Sequence, residues 1–207
     1  GRNTIRLATN LAHIPLRLLQ GLKDDPKMII NQRLLFDRLN LAHATDAEFV
    51  EFEDLGHNYE MGAVSWMDFF GKAMRDPQTS QFVFRTARLS EAGMYWVRMD
   101  KLDKSVKDEF QPKVNPNDWN RWDHEEKARF IQAEADGRTA EIMARFHEPG
   151  NIELASKGVK KIVLFLTTEM LNSKGRIEIQ FKGKLNKKRP KASKKVLLQH
   201  FAEHFDR

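Results

Sequence analysis

Apolar residues are arranged in two regimes along the chain. Up to Pro77, compact apolar runs alternate with sets at helical spacing; beyond it, apolar residues recur mainly at every second position. Ile14, Leu16, Leu18 and Leu19 make one compact run closed by Gly21, the pattern of a strand buried in a parallel sheet, expected over 14–20. KDDPKMII then reads as a polar turn around Pro26. Asn31 is placed to cap a helix whose Leu34, Leu35, Leu39 and Leu41 gather mostly on one face. Phe49, Val50 and Phe52 among glutamates give a second strand over 47–53, which runs into the glycine-bearing loop EDLGHNYEMG. Val64, Met67, Phe70 and Met74 at helical spacing predict a further helix, stopped by Pro77. Strand, helix, strand, helix in this order implies an α/β unit with a parallel sheet.

Past Pro77, Phe82, Phe84 and Thr86 alternate, as do Tyr95, Val97 and Met99, and SEAG between the two runs predicts a hairpin. A loop is expected over 103–126, holding Pro112, Pro116, Trp119 and Trp122. ARFIQAEAD, TAEIMARF, NIELAS, KKIVLFLTTEM and RIEIQFKG follow as short extended candidates separated by DG, EPGN, SKG and NSKG. Strands at this spacing suggest an antiparallel sandwich. ARFIQAEAD, rich in Ala, Glu and Gln, has a helix as its alternative reading. The tail ASKKVLLQHFAEHFDR sets Val196, Leu197, Phe201 and Phe205 on one side of a terminal amphipathic helix. The fold class is therefore α/β followed by mainly β, with a first unit over 1–77 and a second, sandwich-like unit with a C-terminal helix over 78–207.

Composition narrows the chemistry. With 41% hydrophobic and 31% charged residues the 207-residue chain has an ordinary globular balance. Without cysteine it has no disulfide framework, no thiolate nucleophile and no Cys-ligated metal site. No apolar run is long enough to span a membrane, so no membrane partner is expected. The sequence begins at Gly1 rather than Met and is read as a processed product or a piece of a longer polypeptide. Its compartment stays open, with a bacterial secreted or periplasmic location one possibility. The formal charge of +6 is unevenly spread: residues 1–77 hold nine basic against eleven acidic residues, whereas 157–195 hold thirteen against two. Such a stretch can attract polyanions, but without interleaved aromatics it reads better as lysines solvating a strand edge, and nucleic acid is not the expected partner.

Two side chains in the first unit can act together. Asp24 follows the first buried strand and His57 follows the second, so parallel neighbouring strands would bring both to one sheet edge. A carboxylate beside an imidazole can fix its tautomer and stabilise the imidazolium formed when the ring takes a proton. The residues IPLRLLQGLKDDPKMIINQRLLFDRLNLAHATDAEFVEFEDLGHNYE resemble the C-terminal part of α/β-hydrolases of the prolyl oligopeptidase and predicted serine peptidase type. In that family a strand ends in a His-Gly-x-x-Asp turn with the triad aspartate, and a later strand ends in a Gly-His loop with the triad histidine. The resemblance spans about residues 10–76, matching Gly21 and Asp24 to the first motif and Gly56 and His57 to the second, with Gln20 where the family usually has histidine. Beyond it, residues 77–102 loosely resemble a β-rich extension found after the hydrolase domain in some bacterial peptidases.

The resemblance implies a serine peptidase or esterase acting on a peptide or ester, with no cofactor and no metal. Its nucleophile would lie in a G-x-S-x-G elbow earlier in the chain order. None of the seven serines has that context, and Ser65 falls inside the helix expected after His57. The chain is accordingly read as the C-terminal part of a hydrolase, partnered by the upstream part of the same enzyme. The alternative is a non-catalytic β-rich module that binds a carbohydrate, peptide or polyanion, with Trp119 and Trp122 as an aromatic platform. Asp123, His124, Glu125 and Glu126 lack a metalloprotease spacing. His200 and His204 share a helical face and could hold a divalent ion, although a polar rim explains them as well.

Overall fold

The computed structural model describes residues 4–42, 44, 46–57, 65–72 and 79–204, the side chains of 199, 200, 203 and 204 excepted. After a 3-10 helix over Thr4–Leu11, β1 (Leu16–Gly21), α1 (Pro26–Leu41) and β2 (Ala47–Phe52) form a strand–helix–strand unit. The two strands are parallel, with Leu16 opposite Ala47 and Gly21 opposite Phe52. The helix begins earlier than the sequence suggested. Asp25, not Asn31, caps it by accepting from the Lys27 amide at 2.8 Å, and Pro26 occupies the first turn, where a missing N–H costs nothing. Phe36 of α1 packs on Phe49 of β2, and Leu39 is fully buried.

Helix α2 (Trp66–Lys72) follows, capped by Ser65, whose hydroxyl accepts from the Asp68 amide at 3.4 Å. Arg17 of β1 holds it in place, donating to the Ser65 carbonyl and lying over the Phe69 ring. Val64, Met74 and Pro77 of the expected helix lie outside the described residues.

The remainder is built on two sheets. β3 (Gln81–Thr86), β6 (Ala140–Glu148), β7 (Asn151–Lys157), β9 (Ile177–Phe181) and β10 (Lys184–Lys188) form one in the order β10-β9-β7-β6-β3. β4 (Gly93–Met94), β5 (Val97–Leu102) and β8 (Val159–Leu164) form the other. A single hydrophobic core lies between them, built from Phe82, Phe84, Val97, Met99, Ile142, Ile152 and Ile177 among others. The fold is thus mixed α/β with ten strands in three sheets among the described residues.

Several expectations are corrected here. The runs 81–86 and 97–102 do not form a hairpin: β3 pairs with β6, setting Phe82 against Ala144 and Phe84 against Ile142, while β5 pairs with β4 and β8. A 3-10 turn over Leu89–Glu91 carries the chain from one sheet to the other. The five-stranded sheet is not wholly antiparallel either, because β7 and β9 run parallel around the intervening β8. The stretch 103–126 contains α3 (Pro116–Arg121), and ARFIQAEAD lies in α4 (His124–Gly137). Asp123 and Glu126 close a capping box that starts α4, with Asp123 accepting from the Glu126 amide and Glu126 from the Asp123 amide. β10 was not anticipated; its hairpin is set by Lys182 and Gly183, both at positive φ. The terminal helix exists as α5 (Lys194–His204), but Val196, Leu197, Leu198 and Phe201 remain exposed on it.

The first unit is bolted to the second through polar side chains. Asn10 imitates a strand neighbour, donating to the Arg85 carbonyl at 2.8 Å and accepting from its amide at 2.7 Å. Asp136 of α4 accepts from Arg38 of α1 and from Arg85 of β3, the latter at 3.1 Å. Buried Arg6 donates to the carbonyls of Lys107 and Asp108.

Candidate functional site

The site grows from the carboxyl ends of the two parallel strands. Past Gly21 and Phe52 the loops stay joined: the Leu22 amide donates to the Phe52 carbonyl and the Lys23 amide to the Leu55 carbonyl, each at 2.9 Å. Gly21 permits this approach. A Cβ there would sit 2.3 Å from the carbonyl oxygens of both Leu55 and Gly56, so any side chain would push the second loop off the first. The loop after β1 is itself closed by the Asp24 amide donating to the Gly21 carbonyl at 3.3 Å.

This zippered turn brings Asp24 and His57 together, with Asp24 Oδ2 3.1 Å from His57 Nδ1. The Asp24 side chain is 6% exposed and the His57 ring 73% exposed. The aspartate is the fixed member of the pair. Its Oδ1 accepts from the Asp25 amide at 2.7 Å, and its Oδ2 also accepts from Gln20 Nε2 at 3.2 Å. The Asp25 amide above all, then His57 and Gln20, stabilise the ionised form and hold the carboxyl below the usual carboxylate range; burial opposes them. An ionised Asp24 is satisfied by the Nδ1–H tautomer of His57, which makes Nε2 the basic nitrogen.

Gln20 is the participant that sequence reasoning did not identify as such. Its signal was a polar residue inside the run LRLLQG, and it is wholly buried. Asp25 serves as helix cap and amide donor rather than as an alternative carboxylate for the imidazole.

The other candidates go elsewhere. Ser65 caps α2. Asp123 and Glu126 serve the capping box, and Glu125 pairs with Arg129. His147 contacts Glu153 at 3.2 Å. Among the described residues no group of three or more His, Asp or Glu could hold a metal ion; the side chains of His200 and His204 lie outside them. Trp119 and Trp122 pack against each other and against Phe130 of α4, so they anchor α3 to that helix. Within 157–195, Lys160, Lys161 and Lys187 pair with Asp103, Asp100 and Glu178. β10 carries Lys184, Lys187 and Lys188 along the outer edge of its sheet, the placement that discourages edge-to-edge pairing. No helix among the described residues is long and apolar enough to cross a membrane. No protein-family model matches the chain, no curated protein matches it, and no solved structure matches it.

Proposed function

We propose that Asp24 and His57 are the acid and base of a Ser-His-Asp triad, and that these 207 residues are the C-terminal part of an α/β-hydrolase acting on a peptide or ester. One observation carries the reading: Asp24 Oδ2 lies 3.1 Å from His57 Nδ1 at the carboxyl ends of adjacent parallel strands. The aspartate side chain is little exposed, hydrogen-bonded and held ionised, as an orienting carboxylate must be, while the imidazole is largely exposed. In the reaction His57 Nε2 would take the proton of an attacking serine hydroxyl and return it to the leaving group, with Asp24 stabilising the imidazolium in between. The nucleophile and the donors for the oxyanion would come from sequence outside these residues, since no serine here has the elbow context. Residues 78–207 would be a sandwich-like accessory domain, a reading supported by the single core shared by its two sheets.

The test is hydrolysis of p-nitrophenyl esters and peptide anilides. The 207-residue chain alone should show no turnover above background, and the polypeptide as encoded, with whatever sequence precedes Gly1, should show it. Asp24→Asn in that polypeptide should lower kcat by on the order of 10³- to 10⁴-fold, the cost of losing the correct imidazole tautomer. Turnover by the isolated chain that vanishes in His57→Ala would contradict the assignment of the nucleophile.

A further inference from the structure

We propose that Gln20 is a positioning residue for the Asp24–His57 pair, its amide fixing the carboxylate oxygen that faces the imidazole. The inference rests on the reading of that pair as catalytic. Gln20 is the second-last residue of β1, with no exposed surface, and Nε2 donates to the Gly21 carbonyl at 2.9 Å and to Asp24 Oδ2 at 3.2 Å. Its Oε1 is buried and accepts nothing.

A buried acceptor without a donor lowers stability, and an apolar side chain of the same length would fill the space without that cost. Gln20 is therefore a poor choice for packing, and its useful contribution is the donor. The need for a donor follows from Asp24. The terminal torsion of an aspartate is broad and soft, and the Asp25 amide pins only Oδ1. With Oδ1 alone held, the carboxylate plane can swing and carry Oδ2 away from the ring. Gln20 supplies the second fixed point, from a fully buried position on β1. Oδ2 is the oxygen that meets the ring, 3.1 Å from His57 Nδ1, so its position bears directly on that contact.

The test measures thermal melting and the His57 tautomer by ¹⁵N–¹H correlation in the 207-residue chain and in Gln20→Met, Gln20→His and Asp24→Asn. Met conserves volume and removes both polar atoms; His retains one ring N–H donor. Gln20→Met should melt at or above the wild-type temperature yet lose the preference for the Nδ1–H tautomer. Gln20→His should recover that preference. A role limited to packing would leave the tautomer unchanged. If Asp24→Asn abolishes the preference while Gln20→Met keeps it, the role of Gln20 is refuted and the pair stands. If Asp24→Asn leaves the tautomer as in wild type, the pair itself is refuted, and Gln20 with it. A Gln20→Met chain that fails to fold also overturns the inference, because the argument requires the amide to be dispensable for stability.

Discussion

Gly21→Ala should separate the two loops that hold the site. The new Cβ would lie 2.3 Å from the Leu55 and Gly56 carbonyl oxygens and 2.7 Å from the Leu55 carbonyl carbon. Carbon and oxygen stay about 3.3 Å apart even in favourable sheet contacts, so the loop must retreat by about 1 Å. Every obstructing atom belongs to the backbone, and no side-chain rotation relieves the clash. Overpacking of this kind costs ~1–3 kcal/mol, and the rigidity of the obstruction argues for the upper end. At ~2–4 °C per kcal/mol for a chain of this size, Tm should fall by ~6–12 °C. A retreat of that size would also lengthen the 3.1 Å contact between Asp24 and His57 beyond hydrogen-bond reach and break the bond from the Lys23 amide to Leu55. Gly56→Ala is the control, because its nearest neighbour, the Lys23 carbonyl, would be at an ordinary 3.7 Å. The assay is a thermal melt together with hydrogen exchange at the Lys23 amide, which should quicken tenfold or more, equivalent to ~1.4 kcal/mol. A Gly21→Ala chain that melts with Gly56→Ala and keeps Lys23 protected would refute the reasoning.

Three further outcomes are expected. Asp25→Ala should destabilise the chain by ~1 kcal/mol through loss of the α1 cap, while Asn31→Ala, exposed inside that helix, should leave urea denaturation nearly unchanged. Burial between Phe82 and Tyr95 holds His13 below the usual imidazole range. Its neutral form favours folding, so stability should be full above about pH 6.5 and fall as pH drops through the lower folded value; His13→Phe should flatten that limb. Asp103 is lowered to about 2, by the Ser105 amide first and then by Lys160. Its contribution should be complete above about pH 4 and fade toward pH 2, and Asp103→Asn should remove that part of the acid limb in urea titrations.

The contact between Asp24 and His57 was more legible in the sequence than much of the fold around it. β2 was expected over 47–53 and β1 over 14–20, close to their observed bounds, because each carries a short apolar run, half-buried in β2 and buried toward the carboxyl end of β1, and short loops fix which side chains follow them. That places Asp24 and His57 at one sheet edge, and the hydrogen bonds between the two loops, allowed by Gly21, close the contact. The start of α1 was missed because Asp-Asp-Pro is equally a turn and a capped first helical turn, and only the path after Pro26 distinguishes them. α4 was ambiguous by period, although the capping box from Asp123 to Glu126 was present to settle it. The partner of β3 was not legible, since alternation identifies a strand but not its neighbour; the fit of Phe82 against Ala144 decides it. β10 has only Leu185 as an apolar residue, and its pairing comes from a two-residue turn. Gln20 was visible as a polar intrusion, yet its contact with Asp24 depends on the turn after Gly21.

The central claim, that Asp24 and His57 activate a serine supplied from outside these residues, is tested most directly by covalent labelling. The polypeptide as encoded, including any sequence before Gly1, is treated with a fluorophosphonate, and the modified residue is located by peptide mass spectrometry. The account predicts one labelled serine outside the 207 residues, labelling that is lost in His57→Ala and strongly slowed in Asp24→Asn, and no label on the isolated chain. Labelling that persists unchanged in His57→Ala, or a reactive serine among Ser65, Ser80, Ser90, Ser105, Ser156, Ser173 and Ser193, would contradict it.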